Sequence, residues 1–256
     1  MTPDSFSDGG KFLDVDRAAA HAREMAQAGA DIIDVGGESS RPGAPPVSAE
    51  EELRRVLPVV ERLRDLVVSV DTTKAVVAEK ALAAGARIVN DISALQFDPR
   101  MAEIVRDAGA GVVLMHMQGK PQTMQQEPRY DDVVMEVSSF LVERIAFAEV
   151  RGLKKTQIAV DPGIGFGKTV EDNLRLLAHL DEFSSLGCPL LVGTSRKSFI
   201  GKVLGDGTSH EADSRLWGTA GTVAWAVAHG ARILRVHDVA EMSDVVRMME
   251  AIQQAR

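Results

Sequence analysis

Short apolar runs alternate with amphipathic stretches along this whole chain, and that rhythm restricts the fold more than any other feature. The apolar runs fall at Asp31-Ile32-Ile33-Asp34-Val35, at residues 67–70, 88–89, 112–115, 158–160 and 190–192, and at Ile233-Leu234-Arg235-Val236. Between them, helical periodicity covers residues 14–28, 48–66, a stretch ending at Ala84, then 100–107, 132–150, 171–180, 211–229 and 239–254. Nearly continuous apolar strands are buried on both faces, which implies a parallel sheet covered by helices. Gly29-Ala30, Gly85-Ala86, Gly109-Ala110, Gly187-Cys188 and Gly230-Ala231 each stand where a helix gives way to a strand. Glycine accepts the left-handed backbone that stops a helix. Ser48, with Glu51 three residues on, predicts an N-cap. Pro58 predicts a kink or a break within 48–66, because it brings no N–H to the helix.

Seven strands and eight helices fall one strand short of a closed barrel. The expected fold class is therefore α/β, a TIM (β/α)8 barrel lacking its first strand at the N-terminus, in a single domain over residues 1–256. An open doubly wound sheet is the alternative. The chain opens on Thr2-Pro3-Asp4-Ser5-Phe6-Ser7-Asp8-Gly9-Gly10, rich in short oxygen side chains and closed by a turn-forming glycine pair. In a barrel this is the first strand-to-helix loop, on the face where the other strands end. A strand upstream of Met1 is expected in the coding sequence, since without it two sheet edges stay open.

Composition excludes several classes of function. There are 29 Lys and Arg against 37 Asp and Glu, a formal charge of -8, which disfavours a nucleic-acid surface but permits a local basic pocket. Cys188 is the one cysteine, so there is no intrachain disulfide and no cysteine metal cluster, and its apolar surroundings predict a buried thiol. No signal peptide or membrane-spanning run is present, so the cytoplasm is the expected location.

The chemistry gathers at the strand ends. The strand at 31–35 runs into Gly36-Gly37-Glu38-Ser39-Ser40-Arg41-Pro42-Gly43, where Arg41 is suited to bidentate contact with phosphate. Asp71-Thr72-Thr73-Lys74, Asn90-Asp91-Ile92-Ser93 and Asp161-Pro162-Gly163-Ile164-Gly165-Phe166-Gly167-Lys168 follow later strands. Carboxylates and an amide on one rim suit a nitrogen-rich, guanidine-like ring, although any one Asp also reads as a helix cap. Gly193-Thr194-Ser195-Arg196-Lys197-Ser198 and Arg235-Val236-His237-Asp238 supply cations. Strand alternation would put Arg235 and His237 on one side, suited to a diphosphate leaving group. Met115-His116-Met117 reads equally as a pocket wall or as core. The Gly163-x-Gly165-x-Gly167 spacing is not the dinucleotide-binding fingerprint, and no His-Glu-x-x-His metal motif occurs.

Taken in order, Thr-Pro-Asp-Ser-Phe-Ser-Asp-Gly-Gly, Gly-Glu-Ser-Ser-Arg-Pro-Gly, Asp-Pro-Gly-Ile-Gly-Phe-Gly, Ser-Arg-Lys-Ser-Phe-Ile-Gly and Arg-Val-His-Asp resemble the dihydropteroate synthase family from Thr2 onward. The resemblance implies an eightfold barrel that joins 4-aminobenzoate to (7,8-dihydropterin-6-yl)methyl diphosphate in folate synthesis, and that is the target of sulfonamides. It implies that Asp71, Asn90, Asp161 and Lys197 hold the pterin, and that Ser40 contacts substrate where many members have threonine. Arg41, Arg235 and His237 would engage the diphosphate; Phe166, Arg196 and Ser198 would form the aminobenzoate site, with Met115 in the pocket wall and Asp8 in the first loop. It also implies Mg²⁺ bound with the diphosphate, and a homodimer. The family usually carries an Asn directly before the position of Met1 that helps place Mg²⁺, so no residue of this chain is assigned as a metal ligand. A corrinoid-dependent methyltransferase using a pteridine donor, or a noncatalytic pterin-binding barrel, are the competing expectations. Lys197, Arg235 and His237 favour diphosphate elimination, because methyl transfer has no such leaving group.

Overall fold

The computed structural model describes residues 15–41, 43–205 and 212–255. The opening loop, with Asp8, and Pro42 lie outside them. The chain divides into two compact units, each built from separated segments: one takes in the chain to Met115 with Arg144–Ile158, the other His116–Glu143 with Ala159 onward.

In the first unit the order is α1 (Val15–Gln27), β1 (Ile33–Gly36), α2 (Ala49–Arg62), β2 (Val68–Asp71), α3 (Ala75–Ala84), β3 (Ile88–Asp91), α4 (Met101–Asp107) and β4 (Gly111–Met115). The second segment of this unit belongs to α5 (Val133–Val150) and a 3-10 turn at Lys155–Gln157. The strands pair in parallel in chain order, with Gly36 opposite Asp71 and Asp71 opposite Asn90. Their valines and isoleucines are buried with the inner face of α2, where Val56, Val59 and Val60 are at most 2% exposed. In the second unit, β5 (Ile158–Asp161) leads to α6 (Val170–Ala178), a 3-10 segment Leu180–Leu186, β6 (Leu190–Val192), α7 (Ser198–Leu204), a 3-10 turn Ala212–Arg215, α8 (Leu216–Ala228), β7 (Ala231–Leu234) and α9 (Val239–Gln254). Here β5, β6 and β7 pair in parallel, with a bulge between Leu190 and Leu191. No strand precedes β1 among the described residues.

The expected caps form. Gly29, Gly85, Gly109, Gly187 and Gly230 all have positive φ, between 62° and 126°. Ser48 accepts the backbone N–H of Glu51 at 3.2 Å. Cys188 is buried.

Three expectations need correction. The break allowed at Pro58 does not occur: α2 continues through it, with Val56, Val59 and Val60 around it buried. The stretch after Lys197 is a helix, α7, of only seven residues, too short for its period to show. It packs against α8, where a β-carbon at Gly218 would come within 2.3 Å of Ile200. Finally, β7 stops at Leu234, so Arg235 and His237 lie in the following loop and strand alternation does not align them.

Candidate active site

In the first unit the parallel register sets Asp71 beside Asn90 at the carboxyl ends of β2 and β3. Gly36, the third member of that row, leaves room for Asp71: a β-carbon there would lie 3.2 Å from the Asp71 Cβ. Asn90 is buried and donates from Nδ2 to Asp34 Oδ2 at 3.3 Å, which fixes its amide. The neighbouring Asp91 takes the capping role instead. It accepts from Ser93 N–H at 2.8 Å, Ser93 Oγ at 2.7 Å and Leu95 N–H at 2.9 Å, while burial pushes its carboxyl upward.

Beyond β1, Ser40 is half-buried and Arg41 is exposed. What anchors this loop is a cluster that the sequence did not single out. Lys74 Nζ donates to Glu38 and, at 2.6 Å, to Glu52, which is fully buried on α2. Glu38 also accepts the Val47 N–H at 3.2 Å. Burial alone would depress the Lys74 ammonium, but its two carboxylate bonds outweigh that and raise it. Gly37 passes so close to Glu52 that a β-carbon would lie 2.9 Å from its side chain. Removing the cation strands a buried carboxylate, so Lys74→Met is expected to lose about 3 kcal/mol of stability. Urea denaturation checks this, and a loss under about 1 kcal/mol would remove Lys74 from its anchoring role.

In the second unit Asp161 ends β5, buried, and accepts the Gly163 N–H at 2.7 Å. Burial pushes its carboxyl up, against the pull of the Lys197, Lys168 and Arg235 charges. Lys197 is half-buried; desolvation lowers it to about 8, with Asp161 opposing and Arg235 adding to the shift. Its Nζ donates to the Ile164 carbonyl and stands 4.6 Å from the centre of the Phe166 ring. Phe166 is itself only 8% exposed.

The loop from Asp161 to Lys168 is folded by its glycines. Gly163, Gly165 and Gly167 all have positive φ, and a β-carbon at Gly167 would lie 2.5 Å from the Gln118 carbonyl. Lys168 closes it from beneath, donating to the Phe166 carbonyl at 3.0 Å and to His116 Nδ1 at 2.9 Å. Burial lowers Lys168 to about 7 and, with the Lys168 charge, His116 to about 2, so His116 is the neutral acceptor. Met115 and His116 are both core side chains, 3% and 7% exposed. His116 packs edge-on to Phe140 with ring centres 4.9 Å apart.

The turn after β6 is pinned by threonines of α8. Thr219 Oγ1 accepts the Arg196 N–H at 3.1 Å, and Thr222 donates to Thr194 at 2.8 Å. Arg196, at φ 58°, holds Asp238 through Nε at 3.0 Å and Nη2 at 2.5 Å, and this pairing lowers Asp238. Ser198 is exposed at the start of α7. Arg235 and His237 are exposed, and His237 is tied to the buried Ser195.

A family model described as pterin binding enzyme matches residues 1–237. The chain belongs to the pterin-binding enzyme family. Among similar curated members, the dihydropteroate synthase of Escherichia coli strain K12 is 48% identical, covering 100% of this chain and 90% of its own. That of Synechocystis is 48% identical over 98% of this chain and 87% of its own. Among solved members, Yersinia pestis dihydropteroate synthase in a sulfonamide drug complex matches with a TM-score of 0.93 at 44% identity, covering 99% of this chain and 91% of that one. The Xanthomonas albilineans enzyme with 4-aminobenzoic acid matches at 0.91 and 48%, covering 98% and 90%. At that likeness the fold class is the α/β TIM barrel of the family, with its first strand not among the described residues.

Proposed function

We propose that this chain is a dihydropteroate synthase, condensing 4-aminobenzoate with (7,8-dihydropterin-6-yl)methyl diphosphate to give 7,8-dihydropteroate and diphosphate. The observation that carries this is the buried Asp161 carboxylate in the field of Lys197 and Arg235, in a chain 48% identical over its whole length to a dihydropteroate synthase. A Xanthomonas albilineans relative, solved with 7,8-dihydropteroate, adds weight at 46% identity.

We assign the pterin to Asp71, Asn90, Asp161 and Lys197: the acids accept ring N–H groups, and the ammonium and amide donate. Ser40 contacts the substrate, while Arg41, Arg235 and His237 take the diphosphate. Aminobenzoate is assigned to Phe166, Arg196 and Ser198, with Asp8 in the first loop and Met115 behind the pocket wall. Arg196 acts there while clamped to Asp238, so its contribution comes through a fixed guanidinium face or its backbone. No enzyme nucleophile is needed. As the carbon–oxygen bond to diphosphate lengthens, positive charge grows on the pterin methylene and is stabilised by Asp71 and Asp161. Negative charge grows on diphosphate and is met by Arg235 and His237. The neutral amine then attacks the same carbon and loses a proton. Held reactants and preset charges account for the rate.

Mg²⁺ belongs to the proposal as a counterion of the diphosphate substrate. Among the described residues no group of three or more His, Cys, Asp or Glu side chains is placed to hold a metal. We therefore assign no protein ligand and route no step through the ion. Among the described residues no helix is long and apolar enough to cross a membrane. We take the enzyme to be cytoplasmic and a homodimer. Light scattering after gel filtration tests the homodimer.

Condensation is expected with the two substrates and Mg²⁺, read by chromatography that resolves dihydropteroate. A folded chain that binds both substrates but forms no product is a pterin-binding protein, and the enzyme assignment fails.

A further inference from the structure

Ser195 lies in the turn after β6 and is 5% exposed, yet its hydroxyl reaches an exposed functional residue. Ser195 Oγ accepts the backbone N–H of His237 at 3.1 Å and lies 2.9 Å from the Nδ1 of the same residue. A hydroxyl carries one hydrogen and two lone pairs. One lone pair takes the backbone N–H, and among the described residues Ser195 Oγ has no hydrogen-bond partner besides His237, so the buried hydroxyl hydrogen is satisfied only with Nδ1 as its acceptor. A neutral imidazole that accepts at Nδ1 carries its proton at Nε2.

We infer that Ser195 is a positioning residue that holds His237 as the Nε2–H tautomer, with Nε2 turned away from the turn as a donor to an anionic oxygen of the leaving diphosphate. This rests on the function proposed above. The double contact fixes both backbone and ring of His237 from a single buried atom. That matters because His237 lies beyond the end of β7, where no strand ladder orders it. Ser195 is itself held rigid, since Thr194 beside it is bonded to Thr222 of α8 at 2.8 Å.

The test has two readouts. The long-range proton–nitrogen NMR spectrum of the free protein, assigned with His237→Gln, is expected to show His237 protonated at Nε2. An Nδ1–H ring overturns the inference whatever the enzyme does. Inorganic diphosphate binding by calorimetry is then compared in a double-mutant cycle. Ser195→Ala is expected to weaken binding about tenfold, the value of one charge-assisted hydrogen bond. The same change made on a His237→Gln background is expected to add less than twofold. Ser195→Thr, which keeps the hydroxyl, should restore affinity and serves if the alanine variant folds poorly. Equal losses in both backgrounds mean that Ser195 acts through general structure, which refutes the inference. If the wild type does not bind diphosphate at all, the diphosphate assignment of His237 fails, while the NMR spectrum still decides the tautomer.

Discussion

Alanine at Lys197 or at Arg235 is expected to slow dihydropteroate formation on the order of 100-fold each, because each removes one preset charge worth about 3 kcal/mol in the transition state. The exposed Glu79→Gln on α3 is the matched control and should leave turnover unchanged. Thermal unfolding of each variant separates lost chemistry from lost fold, and normal turnover by a folded double-alanine variant would remove both residues from the mechanism. Acidity gives a second view of Lys197. Its ammonium titrates near 8 rather than at the ordinary 10.5, so kcat/KM for the pterin substrate should fall as pH rises through about 8. Lys197→Arg, which stays charged, should move that limb upward. The sign for stability is opposite. Between about 8 and 10.5 the unfolded chain holds more protons at this lysine than the folded one, so this group makes folding more favourable as pH rises. Lys168, lowered to about 7, acts in the same direction over a wider range. A loss of activity above pH 8 that tracked unfolding would therefore contradict the assignment.

Gly163→Ala is the substitution expected to damage the fold most. Its φ is +70°, and a β-carbon would lie 1.8 Å from the His116 carbonyl oxygen and 3.0 Å from the carbonyl carbon. Neither atom can yield as the end of a flexible side chain would. Gly43 is the control: its φ is +78°, but among the described residues nothing lies within 4 Å of the added carbon. Gly43→Ala thus measures backbone strain alone, about 1 kcal/mol. Gly163→Ala adds the clash and should cost about 4 kcal/mol or more, a fall in melting temperature of roughly 10 °C for a chain of this size. Because Gly163 donates its N–H to Asp161, turnover should fall with it. Equal costs at the two glycines would show that the loop backs away from His116 freely.

The rhythm of strand and helix was legible because it is written locally. Most strands are nearly continuous apolar runs, the longer helices carry a 3.6-residue pattern, and five Gly-Ala or Gly-Cys pairs follow helical segments with positive φ at the glycine where expected. The ordered loop motifs were legible too, since substrate groups follow strand ends in a barrel. Arg235 and His237 were singled out for that reason, although strand alternation does not align them because β7 stops at Leu234. The first-loop residue Asp8 lies outside the described residues.

Partnership was not legible. Asp71, Asn90 and Asp161 look alike in sequence to Asp91, which is spent on capping its own loop. Arg196 reads as a free cation, but Asp238, 42 residues away, claims it. Glu52 and Lys168 carry charges that composition assigns to solvent, and both are buried. The partner that makes each tolerable is 22 residues off for Glu52 and 52 for Lys168. By itself the sequence determined the order of elements, the class of fold and the chemistry carried by each strand end, because side-chain polarity and backbone preference act over a few residues. Only the tertiary structure decided which charges are paired and spent on holding loops. That choice depends on desolvation and on contacts between residues distant in the chain, and neither is set until the strands have paired.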